Sequence, residues 1–248
     1  MKILLNGRLG FMGREVAALC EKGYRGAELL VGVDPAADGT DAACVSSLSA
    51  VCGEGIDCVV DFSHHSCAPA LLEFCKKNRL PAVVATTGHT PEEKEAIFAA
   101  AKEIPVFYSG NMSLGVALLI ELAKTAARAM PEAQIEIVET HHNRKIDAPS
   151  GTALMIADAI TSVRPETYTH LGRTGQGKRE QNEIGVHSLR MGNVVGIHEV
   201  IVATDSQTIT LKHEAHNRAL FAEGALAAAE FLYKKGAGLY SMNDIIGG

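Results

Sequence analysis

Two histidines, an arginine and a lysine share the run His141-His142-Asn143-Arg144-Lys145, and Pro149-Ser150-Gly151-Thr152 follows it. Histidine changes protonation near neutral pH and is the usual side chain for delivering a proton to a reacting group. Lysine is a compact cation that holds a carboxylate or assists a protonation. A helix that starts at Ser-Gly-Thr offers backbone N–H groups and a hydroxyl to a second carboxylate. Two anion pockets beside a proton donor imply a small dicarboxylate ligand. Spacing alone does not divide the histidines. Neighbours at a strand end point to opposite sides, so one can deliver the proton while the other binds.

The elements that must position this loop are legible on either side. Ile135 to Glu139 alternates apolar and polar residues, which predicts a strand. Ala153 to Ile160 has a helical pattern, with Ser150 as its cap and Pro149 fixing the entry.

A second constellation stands at the start of the chain. Lys2 to Asn6 predicts a strand, Gly7-Arg8-Leu9-Gly10-Phe11-Met12-Gly13 follows, and a helical pattern runs through Glu21. Glu28 to Asp34 predicts the next strand. Glycines at the first turn of such a βαβ unit let the backbone approach a pyrophosphate, and the helix N-terminus then holds the phosphates. Asp34 is placed to accept hydrogen bonds from the adenosine ribose. The spacing is GxxGxxG rather than the usual GxGxxG.

Strands and helices go on alternating. Strands are predicted over residues 57–62, 81–87 and 105–109, and helices over 66–78 and 91–102, which makes a parallel, doubly wound sheet. Ligands bind at the carboxyl ends of such strands. Asp61-Phe62-Ser63-His64, Ala85-Thr86-Thr87-Gly88-His89 and Ser109-Gly110-Asn111-Met112-Ser113 stand there, able to face a nicotinamide ribose and carboxamide. His64, His65 and His89 lack carboxylate or cysteine partners at ligand spacing and read as exposed loop histidines, so no metal is expected.

After an apolar helix over residues 114–130 the pattern changes. Residues 184–190, 194–204 and 207–213 predict successive strands with little helix between them. The expected fold class is therefore α/β: a Rossmann-like doubly wound parallel sheet plus a second α+β domain with an open, mostly antiparallel sheet. Residues 1–112, completed by 217–248, form the dinucleotide-binding domain, and 113–216 the substrate-binding and oligomerisation domain. The Gly-rich basic stretch Leu171 to Glu180 is either a mobile cationic cover or a solvated loop.

A net charge of −6 over 248 residues argues against a general nucleic-acid binder. No apolar run approaches a membrane span, and no secretory signal is visible. The six cysteines carry no CxxC pair and read as small apolar core residues in a reducing cytoplasm.

The run Glu139-Thr140-His141-His142-Asn143-Arg144-Lys145-Ile146-Asp147-Ala148-Pro149-Ser150-Gly151-Thr152-Ala153 closely resembles the signature of the dihydrodipicolinate reductase family, and the likeness covers essentially the whole chain. Gly7 to Gly13 resembles its nucleotide loop, Ala85-Thr86-Thr87-Gly88 its Gly-Thr-Thr-Gly turn, and Asn111-Met112-Ser113 its Asn-Phe-Ser turn. Ile184 to Arg190 and Val195 to Glu199 match its second-domain strands. The resemblance implies NAD(P)H-dependent reduction of 4-hydroxy-tetrahydrodipicolinate in lysine and diaminopimelate biosynthesis. It further implies a homotetramer assembled through the second-domain sheet. By the same resemblance His141 is the proton donor and Lys145 the catalytic lysine. His142, Lys145, Gly151 and Thr152 would bind substrate. Gly7, Arg8, Leu9, Gly10, Phe11, Met12, Asp34, Ala85, Thr86, Thr87, Ser109, Gly110, Asn111 and Met112 would contact the cofactor.

Phe11 departs from the family, which often has Arg or Lys there to meet the 2′-phosphate of NADPH. Asp34 is followed by Pro35-Ala36-Ala37 with no arginine. Either nicotinamide cofactor is expected, with a leaning to NADH, because an acid repels that phosphate. Two rivals stay open: a dehydrogenase of another small amino or imino acid, and a non-catalytic NADH-binding sensor.

Overall fold

The computed structural model of the chain describes residues 1–247. The described residues divide into two compact units, residues 1–114 with 219–247, and residues 115–218.

In the first unit, β1 (Lys2–Asn6), α1 (Phe11–Glu21), β2 (Glu28–Val33) and β3 (Cys44–Val45) come first. Next are β4 (Cys58–Asp61), α2 (Ala68–Asn78), β5 (Ala82–Val84), α3 (Pro91–Ala100) and β6 (Pro105–Tyr108). The second unit holds α4 (Leu114–Ala129), β7 (Gln134–His141), α5 (Gly151–Val163), β8 (Tyr168–Leu171), β9 (Glu183–Arg190), β10 (Gly196–Ala203) and β11 (Thr208–Ala215). The chain then returns to the first unit as α6 (Ala219–Leu232), β12 (Gly238–Tyr240) and α7 (Met242–Ile246).

The first unit is built on a seven-stranded sheet in the order β12-β6-β5-β4-β1-β2-β3, parallel throughout. Its central strands are apolar on both faces, as burial beneath two helical layers requires. Leu4, Val59, Val84 and Val106 pack against α2 and α3 on one face. On the other side the strands meet α6, which also packs along α1. Local chemistry sets the helix starts. Thr90 and Glu93 form a capping box at α3, and Pro91 occupies its first turn, where a missing N–H costs nothing.

The expected β1-α1-β2 unit and its continuing alternation are present, with the short edge strands β3 and β12 in addition. His89 is not an exposed loop histidine: it is buried, in edge-on contact with Tyr108, and His65 is half-buried with its Nδ1 2.8 Å from Glu93 Oε2, whereas His64 is exposed. A turn residue with a flat ring can fold back under its strand end, which the local sequence does not disclose.

A mixed five-stranded sheet, ordered β11-β10-β7-β9-β8, forms the second unit. β10 runs antiparallel to both β7 and β11, while β9 pairs in parallel with β7 and β8. β9 and β10, successive in sequence, are therefore not neighbours, because β7 lies between them. Helices α4 and α5 cover one face: Val116, Leu119, Ile120, Ile156 and Ile160 pack on Ile135, Ile137, Ile184, Val186, Val200 and Val202. The opposite face carries Glu136, Val138, His187, Glu199 and Ile201.

Leu171, placed at the start of the Gly-rich loop, ends β8 instead. Two of that loop's cations are anchored rather than free. Arg173 pairs with Glu183, and Arg179 bonds Glu136 at 3.0 Å and the Ile135 carbonyl at 3.1 Å.

Candidate active site

The sequence-predicted residues fall into two groups, one on each unit. In the first unit β1 ends at Asn6 and the chain turns sharply at Gly7, whose φ is +82°. A Cβ there would stand 2.5 Å from the Phe62 carbonyl oxygen, so both the backbone conformation and the close approach of the segment just past β4 demand glycine. Helix α1 begins after Gly10, which supplies no side-chain cap. Leu9 donates its N–H to Asp34 Oδ2 at 3.0 Å, and Ala36 donates to Oδ1 at 3.0 Å. The acid at the end of β2 is thus bound to the nucleotide loop itself. Arg8 pairs with Asp41 at 3.3 Å. Phe11 is 60% exposed, and Met12 is partly covered.

Asp61 ties the neighbouring strand ends together. It is fully buried and accepts from Asn6 Nδ2 at 2.9 Å, Ser63 Oγ at 2.6 Å and Thr86 Oγ1 at 2.9 Å. Ala85 donates its N–H to the Asp61 carbonyl. The Thr86 hydroxyl is therefore committed to the scaffold, while Thr87 is exposed beside it. Ser109 Oγ donates to the Asn111 carbonyl at 2.8 Å, and Ser113 N–H donates to Asn111 Oδ1 at 2.8 Å, which makes a tight turn; exposed Gly110 lies within it and buried Met112 beyond it.

These residues fit a dinucleotide. Gly7 and Gly10 bear no side chain in the turn before α1, the positive N-terminal end of that helix begins there, and Asp34 bonds the same loop. Among the described residues no group of His, Cys, Asp and Glu could hold a metal ion.

In the second unit the apolar layer under α5 ends in polar residues. On β7, Ile135 and Ile137 are followed at the same parity by Glu139 and His141. On β9 the same sequence of faces runs Ile184, Val186, Ser188, Arg190, and on β10 His198 lies opposite Glu139. Glu139 is fully buried and His141 nearly so. Burial alone would push the Glu139 carboxyl up, but bonds from Arg190, His141, Ser188 and the Ser150 N–H together hold it down at about 2. His141 Nδ1 lies 2.5 Å from Glu139 Oε2. An ionised carboxylate only accepts, so Nδ1 carries a hydrogen and Nε2 is left for other work.

Ser150 caps α5, its Oγ accepting from the Ala153 N–H at 3.2 Å and lying 3.1 Å from His198 Nε2. His198 is driven down to about 4, first by burial and then by the charge of His141, so it is neutral at pH 7. Gly151 opens the helix and is exposed, with Thr152 beside it partly covered. Lys145 pairs with Asp147 at 2.8 Å. The His142 imidazole is pushed down by desolvation and then by Arg144, Arg218, His141 and Lys145. Arg144, Arg218 and Lys145 put positive charge near this ring, which favours an anion there.

His141, His142, Lys145, Ser150, Gly151 and Thr152 thus gather where β7 ends and α5 begins. Sequence reasoning assigned no role to Glu139, Arg190 or His198. The signal was available: each is polar at the parity of a strand's buried, apolar face.

A dinucleotide-type parallel sheet, followed in the same chain by a second unit that carries a buried carboxylate–histidine pair, is the pattern of a nicotinamide-dependent oxidoreductase. A family model described as dihydrodipicolinate reductase, N-terminus, matches residues 1–112, and one described as dihydrodipicolinate reductase, C-terminus, matches residues 115–246. The chain belongs to the dihydrodipicolinate reductase family.

It is 45% identical over 248 residues to the 4-hydroxy-tetrahydrodipicolinate reductase of Caldanaerobacter subterraneus subsp. tengcongensis, covering 99% of this chain and 98% of the relative. To that of Clostridium novyi it is 40% identical over 247 residues, with the same coverage of 99% and 98%. Among solved structures, the dipicolinate-bound dihydrodipicolinate reductase of Paenisporosarcina sp. TG-14 superimposes with a TM-score of 0.82 at 24% identity, over 99% of each chain. That likeness shows the shared fold.

Proposed function

We propose that the protein reduces 4-hydroxy-tetrahydrodipicolinate to tetrahydrodipicolinate with loss of water, consuming NAD(P)H and a proton, in lysine and diaminopimelate biosynthesis. The observation that carries this reading is the cluster at the end of β7, where a histidine with one ring nitrogen committed to a buried carboxylate stands beside a lysine and a capped helix start. When bound, the nicotinamide supplies the hydride. His141 supplies the proton from Nε2. Lys145 exchanges Asp147 for one substrate carboxylate and steadies the charge that develops. His142, Gly151 and Thr152 receive the other carboxylate, with the N-terminal dipole of α5 favouring it.

Gly7, Arg8, Leu9, Gly10, Phe11 and Met12 cradle the pyrophosphate, with Asp34 at the ribose. Ala85, Thr86, Thr87, Ser109, Gly110, Asn111 and Met112 line the nicotinamide side; Thr86 acts there through its backbone, since its hydroxyl is held by Asp61. Two features support a preference for NADH: the carboxylate of Asp34 beside the loop, and the engagement of Arg8 by Asp41. We further propose a cytoplasmic homotetramer that uses the sheet face opposite α4 and α5.

The test is NADH oxidation coupled to freshly made dihydrodipicolinate synthase product. Turnover that depends on that product, and that pyridine-2,6-dicarboxylate blocks competitively, is the expected result. Oxidation driven by other imino acids and indifferent to the inhibitor would favour a different small-acid dehydrogenase.

A further inference from the structure

Glu139 is fully buried, yet neither the hydride path nor the carboxylate pockets need it. Each of its oxygens receives one bond from the reacting loop and one from Arg190. Oε2 accepts from His141 Nδ1 at 2.5 Å and Arg190 Nη1 at 2.8 Å, and Oε1 accepts from the Ser150 N–H at 3.0 Å and Arg190 Nη2 at 2.7 Å. Arg190 is itself fastened, donating to the carbonyls of Leu189 at 2.7 Å and Asp147 at 2.6 Å. A buried ion pair is no more stabilising than apolar residues of the same volume. At the end of a layer of Ile and Val it therefore calls for another reason.

We propose that Glu139, kept ionised by Arg190, is the positioning residue that fixes His141 with its hydrogen on Nδ1 and presents Nε2 as the proton-bearing atom, and that joins this donor to the start of α5. This rests on the reading of His141 as the proton donor. A carboxylate without a proton cannot donate to Nδ1, so the neutral ring left after proton delivery has a single tautomer, with Nε2 bare and ready to be reprotonated. The space in front of Nε2 is kept by Gly196, where an added Cβ would stand 3.1 Å from that nitrogen. The Ser150 bond carries the same restraint to the carboxylate pocket, so proton donor and substrate anchor share one support.

The experiment is 15N NMR of the His141 ring in the full-length enzyme with NADH, together with kinetics of Glu139→Gln, His141→Ala and the double variant. The wild-type spectrum needs no variant: the neutral ring should carry its hydrogen on Nδ1, and a neutral ring protonated on Nε2 overturns the proposal. In Glu139→Gln the amide can donate to Nδ1 and stabilise the wrong tautomer, so kcat should fall about a hundredfold with NADH Kd unchanged. The double variant should be no slower than His141→Ala. Glu139→Gln turning over like wild type, or losses that multiply in the double variant, overturns the proposal. A fully active His141→Ala enzyme would instead sink the donor reading, and it is told apart because the ring spectrum reads the tautomer without turnover.

Discussion

His141 and Glu139 stand on the same face of β7, and the Nδ1 of one donates to the carboxylate of the other across 2.5 Å. The two-residue period of a strand produces the pairing. The same period places Ile135 and Ile137 in the apolar core just before them, so the strand passes from packing to chemistry without changing face. Rigid neighbours on three strands and a helix cap then hold the imidazole, and several consequences can be measured.

His141→Ala should lower kcat by about two to four orders of magnitude, the usual contribution of a general acid. NADH Kd should stay near wild type, because the nucleotide residues lie in the other unit. Stopped-flow fluorescence for binding and steady-state assays for turnover separate the two; an unchanged kcat removes His141 from the role.

Acid should destabilise the second unit in two overlapping steps. His198 sits well below its ordinary 6.5, at about 4, because of burial and of His141, His213 and Lys145, with Glu139 opposing. The unfolded chain binds that proton more readily, so stability falls as pH drops from 6.5 towards 4. Glu139 has the depressed carboxylate pattern: its contribution is present above the ordinary 4.5 and is lost as pH falls towards about 2. Each shift corresponds to about 3 kcal/mol. Urea titrations across this range should show both steps, and His198→Gln should remove the upper one while sparing the lower.

Cofactor choice should respond to the Arg8–Asp41 pair. Asp41→Asn frees the guanidinium and removes a nearby negative charge, so kcat/KM for NADPH should rise relative to NADH by about threefold or more, the scale of a partly exposed ion pair. A ratio that does not move would show that Arg8 never reaches the 2′ position.

Gly196→Ala tests the space before Nε2. The added methyl would meet His141 Nε2 at 3.1 Å and Cδ2 at 3.5 Å, so the ring must shift by a few tenths of an ångström. A misplaced proton donor should cost about tenfold in kcat, with the melting temperature little changed. A large drop in melting temperature with normal kcat per folded molecule would make Gly196 a packing residue only.

Periodicity carried most of the architecture. The parallel sheet with helices on both faces follows from apolar runs that alternate with helical patterns, and the Gly7 turn follows from glycine where φ must be positive. The burial of His89 and the insertion of β7 between β9 and β10 were not legible. Both depend on contacts between segments distant in sequence, and local propensity is blind to them.

By itself the sequence determined which chemistry was present: proton donor, lysine and capped helix start in one short run, and the Gly-rich nucleotide turn in another. Only the tertiary structure decided how that chemistry is held. Arg190 is 51 positions from Glu139, and His198 is 48 from Ser150. Their convergence required strand register to set the partners and burial to lower the local dielectric, so that one carboxylate stays ionised and one imidazole stays neutral.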